Sequence, residues 1–389
     1  MTRIRLSGIL TSALSFEAFL TLFLLAGMFK SDPRFSWLPY DASVLFFALS
    51  VAAAVVVLLK RGFRVTRTAM PIVAAGILFI GYVSATALWS PGRVYTMRKT
   101  AFVSVYCLWP LASCALIISP EERRFARLFN MNLGIGFFVA LDALRLRLVT
   151  PWNTVLRMPS ASYTSLGRLL GITALVLVFA KRPGLWRSLG CALLGFLLLT
   201  IGSRAPLVAF AGSVSLVAFI WRKPDRRRLS YGTLILVTAS VLCAIAATLF
   251  VNVPATIARF ALLTHGSDDP ATAFRMWCLG ISIDIWVKHP WFGAGLGSWP
   301  LLAGYADESR YPHNLFAELL SECGLAGLSL FLLLCCVSLL ILATSRNHPN
   351  KRLVGALFLY ALINAMVSGD MPNNRFIFVA LGLVAAHKS

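Results

Sequence analysis

Apolar runs of roughly twenty residues, interrupted by short basic or Gly/Pro-containing segments, recur along almost the whole chain. A run of that length with few charges is long enough to cross a bilayer as a helix. Read this way, spans fall near 8–28, 39–59, 70–90, 100–118, 128–146, 165–180, 186–202, 205–221, 231–253, 315–344, 353–369 and 375–387. The last is short, and a tight turn separates the seventh from the eighth. The pattern predicts an all-α, polytopic integral membrane protein of about twelve helices, a single membrane domain over 1–389. The N-terminal Met1-Thr2-Arg3-Ile4-Arg5 resembles a signal n-region. The apolar run that follows reaches about Phe29 without a convincing cleavage site, so an uncleaved first span is expected.

Two intervals break the pattern. Residues 147–164 are rich in Ser, Thr and Pro and carry Trp152 and Tyr163. Residues 254–314 form the one sizeable extramembrane piece, and a loop that long is usually functional or has structure of its own. Within it, Asp269-Pro270 reads as an N-cap followed by Pro at the first helical position. Phe274, Trp277, Cys278, Ile281 and Ile285 then recur at helical spacing, while Arg275, Ser282 and Trp286 fall on other faces and Asp284 can pair with Lys288. This predicts an amphipathic helix at the membrane–water boundary, its apolar stripe in lipid or against the bundle. The glycine-rich 291–299 has no strand before it. It is expected to be a tight turn returning the chain to the membrane, not a phosphate loop.

Of 389 residues, 58% are hydrophobic and only 13% charged, yet the net charge is +21. On a soluble chain such a charge would point to nucleic acid; here the apolar runs exclude it, leaving anionic lipid head groups, phosphates or acidic glycans. With the N-terminus inside, the segments 1–7, 60–68, 119–127, 181–187, 222–228, 345–352 and the tail hold about 21 of the 36 basic residues. The dense run 222–228 is explained as a topology anchor. The opposite face still carries Arg145, Arg147, Arg157, Arg168, Arg204, Arg259, Arg275 and Arg375, a heavy load that an anionic ligand there would account for. Most of the eight cysteines lie in apolar runs and none has metal-ligand spacing. Cys278 and Cys323 lie nearer the polar region, where a disulfide is conceivable.

The densest chemistry is Tyr311-Pro312-His313-Asn314 running into an apolar helix. Pro312 should break the loop and put His313 in the first turn, where the helix dipole disfavours imidazolium, keeps the ring available as a general base and attracts phosphate. Helical spacing gives His313, Ala317, Leu320, Gly324 and Gly327 one face, whose small residues suit close packing. Asn314, Glu318, Ser321 and Glu322 form an adjoining polar stripe. Carboxylates in a membrane helix are costly, so a functional or arginine-paired role is expected for them. Arg204, at the turn between the seventh and eighth spans, can grip phosphate bidentately, and Arg275 can supply a second clamp. Arg147, Arg259 and Lys288 are weaker candidates. Glu17 and Asp142 could relay protons, lie inside the bundle, or pair with a neighbour such as Arg145. No nucleotide loop, HExxH or Ser-His-Asp signature occurs, so no metal or other cofactor is indicated.

His313-Asn314, nine residues, Gly324, two residues and Gly327 resemble the His-Asn, x9, Gly-x-x-Gly pattern of the O-antigen ligase family. Arg275-Met276-Trp277 and His289 through Gly297 look like the outer-loop signature of the wider ligase/polymerase superfamily, and Gly202-Ser203-Arg204 like its Ser-Arg turn. One departure is Val208, where the ligase pattern prefers Leu. The resemblance implies a GT-C-like, metal-independent, inverting glycosyltransferase of the bacterial inner membrane with a periplasmic active site. Its donor would be a glycan on undecaprenyl diphosphate, its acceptor a lipid A–core sugar hydroxyl, and its product lipopolysaccharide. It also implies His313 as the base, Arg204 and Arg275 on the diphosphate, and Asn314 and Glu318 at the substrate. The nearest rival is the O-antigen or exopolysaccharide polymerase, whose acceptor is a second lipid-linked glycan; the single dominant outer loop favours the ligase. A flippase or transporter would distribute charges along a central cavity, whereas here the basic residues gather at one face.

Overall fold

The computed structural model describes residues 14–29, 32–37, 41–62, 65–151, 154–159, 161–179, 184–221, 256, 270–345 and 348–385. All regular structure among them is helical. The principal helices are α1 (Phe16–Ala26), α2 (Ala42–Lys60), α3 (Ala69–Ala85), α4 (Val94–Ile118), α5 (Glu122–Val149) and α6 (Tyr163–Val178). They continue with α7 (Leu185–Thr200), α8 (Arg204–Ile220), α9 (Pro270–Lys288), α10 (Leu315–Thr344), α11 (Lys351–Ala365) and α12 (Phe376–Gly382). Every expected span among the described residues has a helix in its place. The span at 231–253, the basic run 222–228, Asp269 and Arg259 lie outside the described residues.

Among the described residues, four helices are long and apolar enough to cross a membrane: α2, α3 with the 3-10 turn Thr86–Trp89, α4 and α10. The apolar α1, α6, α7 and α8 are shorter. The chain is a multi-pass membrane protein. Capping fits the sequence: Ser15 accepts from Ala18 N at 3.3 Å to start α1, and Asp41 from Ser43 N at 2.9 Å to start α2. α4 loosens into π-helical turns at Ser104–Leu108 and Cys114–Ile118 on either side of Pro110, whose missing N–H and ring disturb the regular ladder.

The chain divides into two compact units. The first comprises 1–63, 123–266 and 355–360. Here α1 packs on α2 and α6 on α7. The acidic residues within spans are ion-paired: buried Glu17 meets Arg124 at 2.8 Å, and Asp142 meets Arg34, not Arg145, at 3.3 Å. Arg147 is wholly buried and donates to the carbonyls of Pro151 (2.7 Å), Thr154 (3.0 Å) and Thr200 (2.7 Å). As placed, it ties the loop after α5 to the end of α7, and Leu156 N donates to Ile201 O at 3.0 Å beside it.

The second unit comprises 64–122, 267–354 and 361–389. α10 packs along α3, α9 lies on α10, and α12 sits against the middle of α4. Phe79, Phe331 and Phe378 meet at its centre, with ring centroids 5.5 and 6.3 Å from Phe79. This unit holds the sequence's densest chemistry.

Candidate active site

The start of α10 is built by Asn314. Its Oδ1 accepts from Phe316 N and Ala317 N, both at 3.0 Å, while Nδ2 donates to Met366 O at 2.9 Å. Every polar atom of that carboxamide therefore holds backbone. Because Asn is the better cap, the helix begins at Leu315, and His313 stands before the cap instead of inside the first turn as the spacing predicted. His313 has φ +60°, the only positive φ of a non-glycine among the described residues. Such a backbone costs about 1–2 kcal/mol for an L-residue and persists only where its surroundings impose it. Buried Pro312 precedes the ring, and the rings of Tyr311 and Phe274 lie 4.7 and 6.0 Å from it.

One and two turns further on, Glu318 and Glu322 are fully buried, and both face Lys99. The Lys99 Nζ lies 2.7 Å from Glu318 Oε1 and 2.6 Å from Glu322 Oε2. Glu318 Oε2 accepts from Met371 N at 2.9 Å, and Glu322 Oε2 from Gly297 N at 2.9 Å. The polar stripe is thus matched by a lysine where an arginine was expected. Lys99 was missed because residues before 100 read as loop. α4 starts earlier, at Val94, because Asp307 accepts from the N–H groups of Arg93 (2.9 Å), Val94 (2.8 Å) and Tyr95 (3.1 Å).

That cap gives a pH prediction. The N–H of Arg93 foremost, with those of Val94 and Tyr95, holds the Asp307 carboxyl below its usual range. A depressed carboxylate contributes stability above its unfolded pKa and loses it as pH falls through the folded value, here below about 4. Amide protection at 93–95, corrected for intrinsic exchange, should fall in that acidic window. Asp307→Ala should reproduce the loss at neutral pH, at a cost of about 1 kcal/mol. Protection equal to wild type in that variant would remove the cap.

The face expected to run from His313 through Gly324 to Gly327 is interrupted. Gly324 has φ +66° and ψ −168°, a conformation open essentially to glycine alone, and α10 breaks there. The glycine-rich segment fills the break. Ala294 N donates to Ser321 O (2.9 Å) and Gly295 N to Glu322 O (2.9 Å), while Leu325 N reaches Pro290 O (2.9 Å) and Ala326 N reaches Trp291 O (3.0 Å). A Cβ on Gly324 would strike the Trp291 carbonyl, and one on Gly293 the backbone of Glu322 and Cys323. The segment expected to be a returning turn is therefore a backbone splint across a broken membrane helix. Gly324→Ala should lower stability by about 1–3 kcal/mol. Gly280→Ala on α9, with open space beside it, should be neutral or stabilising. Thermal unfolding in detergent compares them.

On α9 the buried stripe is Cys278, Ser282 and Ile285, with Trp299 Nε1 donating to Ser282 Oγ at 2.9 Å. Ser282, read as lying on another face, is thus inside, whereas Phe274 and Trp277 remain exposed. Cys278 and Cys323 are both free thiols, so the conceivable disulfide is not formed; Cys323 Sγ sits 3.9 Å from Thr86 Oγ1. Arg275 is half-buried in the second turn of α9, and Lys288 is exposed in its last turn. Arg204, in the first unit, opens α8 and is half-buried behind buried Ser203.

Residues 189–332 match the family model described as O-antigen ligase. The match supports the O-antigen ligase family. It covers 144 of the 389 residues and supports, in general, O-antigen ligase/polymerase-type function, that of a glycosyltransferase-like enzyme acting on a lipid-linked glycan and a lipid acceptor. A comparison with curated proteins finds no match. The matched segment contains Arg204, Arg275, His313, Asn314, Glu318 and Glu322, together with the α10 break and its splint; Lys99 falls outside it.

Proposed function

We propose that the protein transfers a glycan from undecaprenyl diphosphate to a sugar hydroxyl of lipid A–core at the periplasmic face of the inner membrane. The observation that carries this reading is His313, held at positive φ beside a helix start that Asn314, Lys99 and Glu318 anchor. The imidazole takes the acceptor hydroxyl's proton, the oxygen attacks the anomeric carbon, and the bond to the diphosphate breaks with inversion. The diphosphate departs with the electron pair, and Arg275 stabilises its charge. Asn314 and Glu318 act on the substrate through the backbone they hold. Arg147, Arg259 and Lys288 have no step in this scheme.

Incubating the purified protein with a defined lipid-linked glycan and lipid A–core tests the reading. Capped lipid A–core is expected; a lengthened lipid-linked glycan would make the enzyme a polymerase and overturn the ligase assignment. Arg204, in the other unit, is assigned to donor binding by its Ser-Arg turn. Arg204→Ala should weaken donor binding about tenfold or more, the worth of a charge-assisted contact, and spare acceptor binding. Equal losses on both would remove that role.

A further inference from the structure

A groove of about 740 Å³ lies in the second unit along the end of α3 and the first turns of α4. Arg93, Met97, Thr100 and Ser104 line it at spacings of four, three and four residues, one face of α4 rising about 16 Å. Ser84 and Leu88 line it from α3 and the turn beyond. The Arg93 side chain is exposed and makes no ion pair among the described residues. Ser84 Oγ is buried without a hydrogen-bond partner. Deeper in, Thr100 and Ser104 turn their hydroxyls back onto the carbonyls of Thr96 (2.8 Å) and Thr100 (3.1 Å), so the wall is small and self-satisfied. Leu88 and Met97 are 88% and 69% exposed, an apolar border left open among the described residues.

The groove has a polarity. Residues 90–93 connect two helices each able to span a bilayer, so Arg93 stands at the membrane boundary while Thr100 and Ser104 reach into the apolar layer. A free guanidinium above an apolar trench fits an amphiphile with an anionic head and a hydrocarbon chain. The lip of the groove is also tethered to the candidate base. Asp307, which holds the N–H groups of Arg93, Val94 and Tyr95, lies on the same loop as His313. A lipid seated there presents its head group to the loop that carries the base.

We infer that this groove seats the phosphate-bearing lipid acceptor, its phosphate on Arg93 and one acyl chain along α4. The inference rests on the transfer to a lipid acceptor proposed above. The test is direct binding by the full-length protein in detergent of three probes: diphosphorylated lipid A, a polyprenyl diphosphate and phosphatidylglycerol. Arg93→Gln and the groove-filling Ala101→Trp should each weaken lipid A binding about tenfold or more, and leave the other two within about twofold. Arg93→Lys should retain most binding, which separates charge from folding. Lipid A affinity unchanged in Arg93→Gln overturns the inference. So does loss confined to the polyprenyl diphosphate, which would make the groove the donor's, or equal loss of all three, which would make it a general lipid contact. Binding as expected by a wild-type protein that fails to glycosylate lipid A–core would sink the ligase reading and leave the groove standing.

Discussion

Lys99→Met should unfold or strongly destabilise the second unit, by about 3–5 kcal/mol, because it strands two carboxylates where no water can reach them. Glu318 and Glu322 are 1% and 0% exposed and share that one ammonium. Breaking such a cluster costs far more than never having had it, since the loss is the desolvation of what remains. The same reasoning predicts rescue. Lys99→Met combined with Glu318→Gln and Glu322→Gln leaves no charge, while each amide oxygen can still accept from Met371 N and Gly297 N. Thermal unfolding of the single and triple variants in detergent decides the point. A single variant as stable as wild type, or a triple variant no better than the single, would show that the charges are not what holds these segments together.

Much of this was legible in the sequence because membrane crossing imposes long uninterrupted apolar runs. The helices from α1 to α8 and from α10 to α12 lie where those runs lie, and α9 follows the cap-like Asp269-Pro270 and its helical spacing. The clustering of His313, Asn314, Glu318 and Glu322 was equally legible, since polar residues opening an apolar helix require partners. The partner itself was not. Lys99 sits beside a hydropathy boundary, and only the Asp307 cap, a contact between residues two hundred positions apart, draws it into α4. A carboxylate pair buried one turn apart was the signal that a cation from a neighbouring helix had to exist.

The α10 break was hidden for a different reason. Gly324 and Gly327 at spacing three fit a helix-packing face as well as they fit a kink, and sequence periodicity assumes the helix continues. The glycines at 293 and 295 and at 324 explain each other only once two backbones are seen to approach without a Cβ between them. The cap role of Asn314 was hidden similarly: its type suits a sugar hydroxyl and a helix cap alike, and the structure shows the cap.

His313→Ala should lower the transfer rate about 10²–10⁴-fold, the usual range for losing a general base, while donor and acceptor still bind. The backbone supplies a second reading of the same residue. At φ +60° glycine is unstrained, so His313→Gly should be as stable as wild type or more so, by up to about 1 kcal/mol, and equally inactive. A histidine kept for packing between Tyr311 and Phe274 would behave the other way, with stability falling and transfer persisting in the folded fraction.

Turnover of folded His313→Gly, with a defined lipid-linked glycan and lipid A–core, measured beside its thermal midpoint, tests the role of the imidazole most directly. The expected result is a protein at least as stable as wild type that binds both lipids and joins them about 10²–10⁴-fold more slowly than wild type. Transfer at the wild-type rate would contradict it, and the base would have to be sought elsewhere.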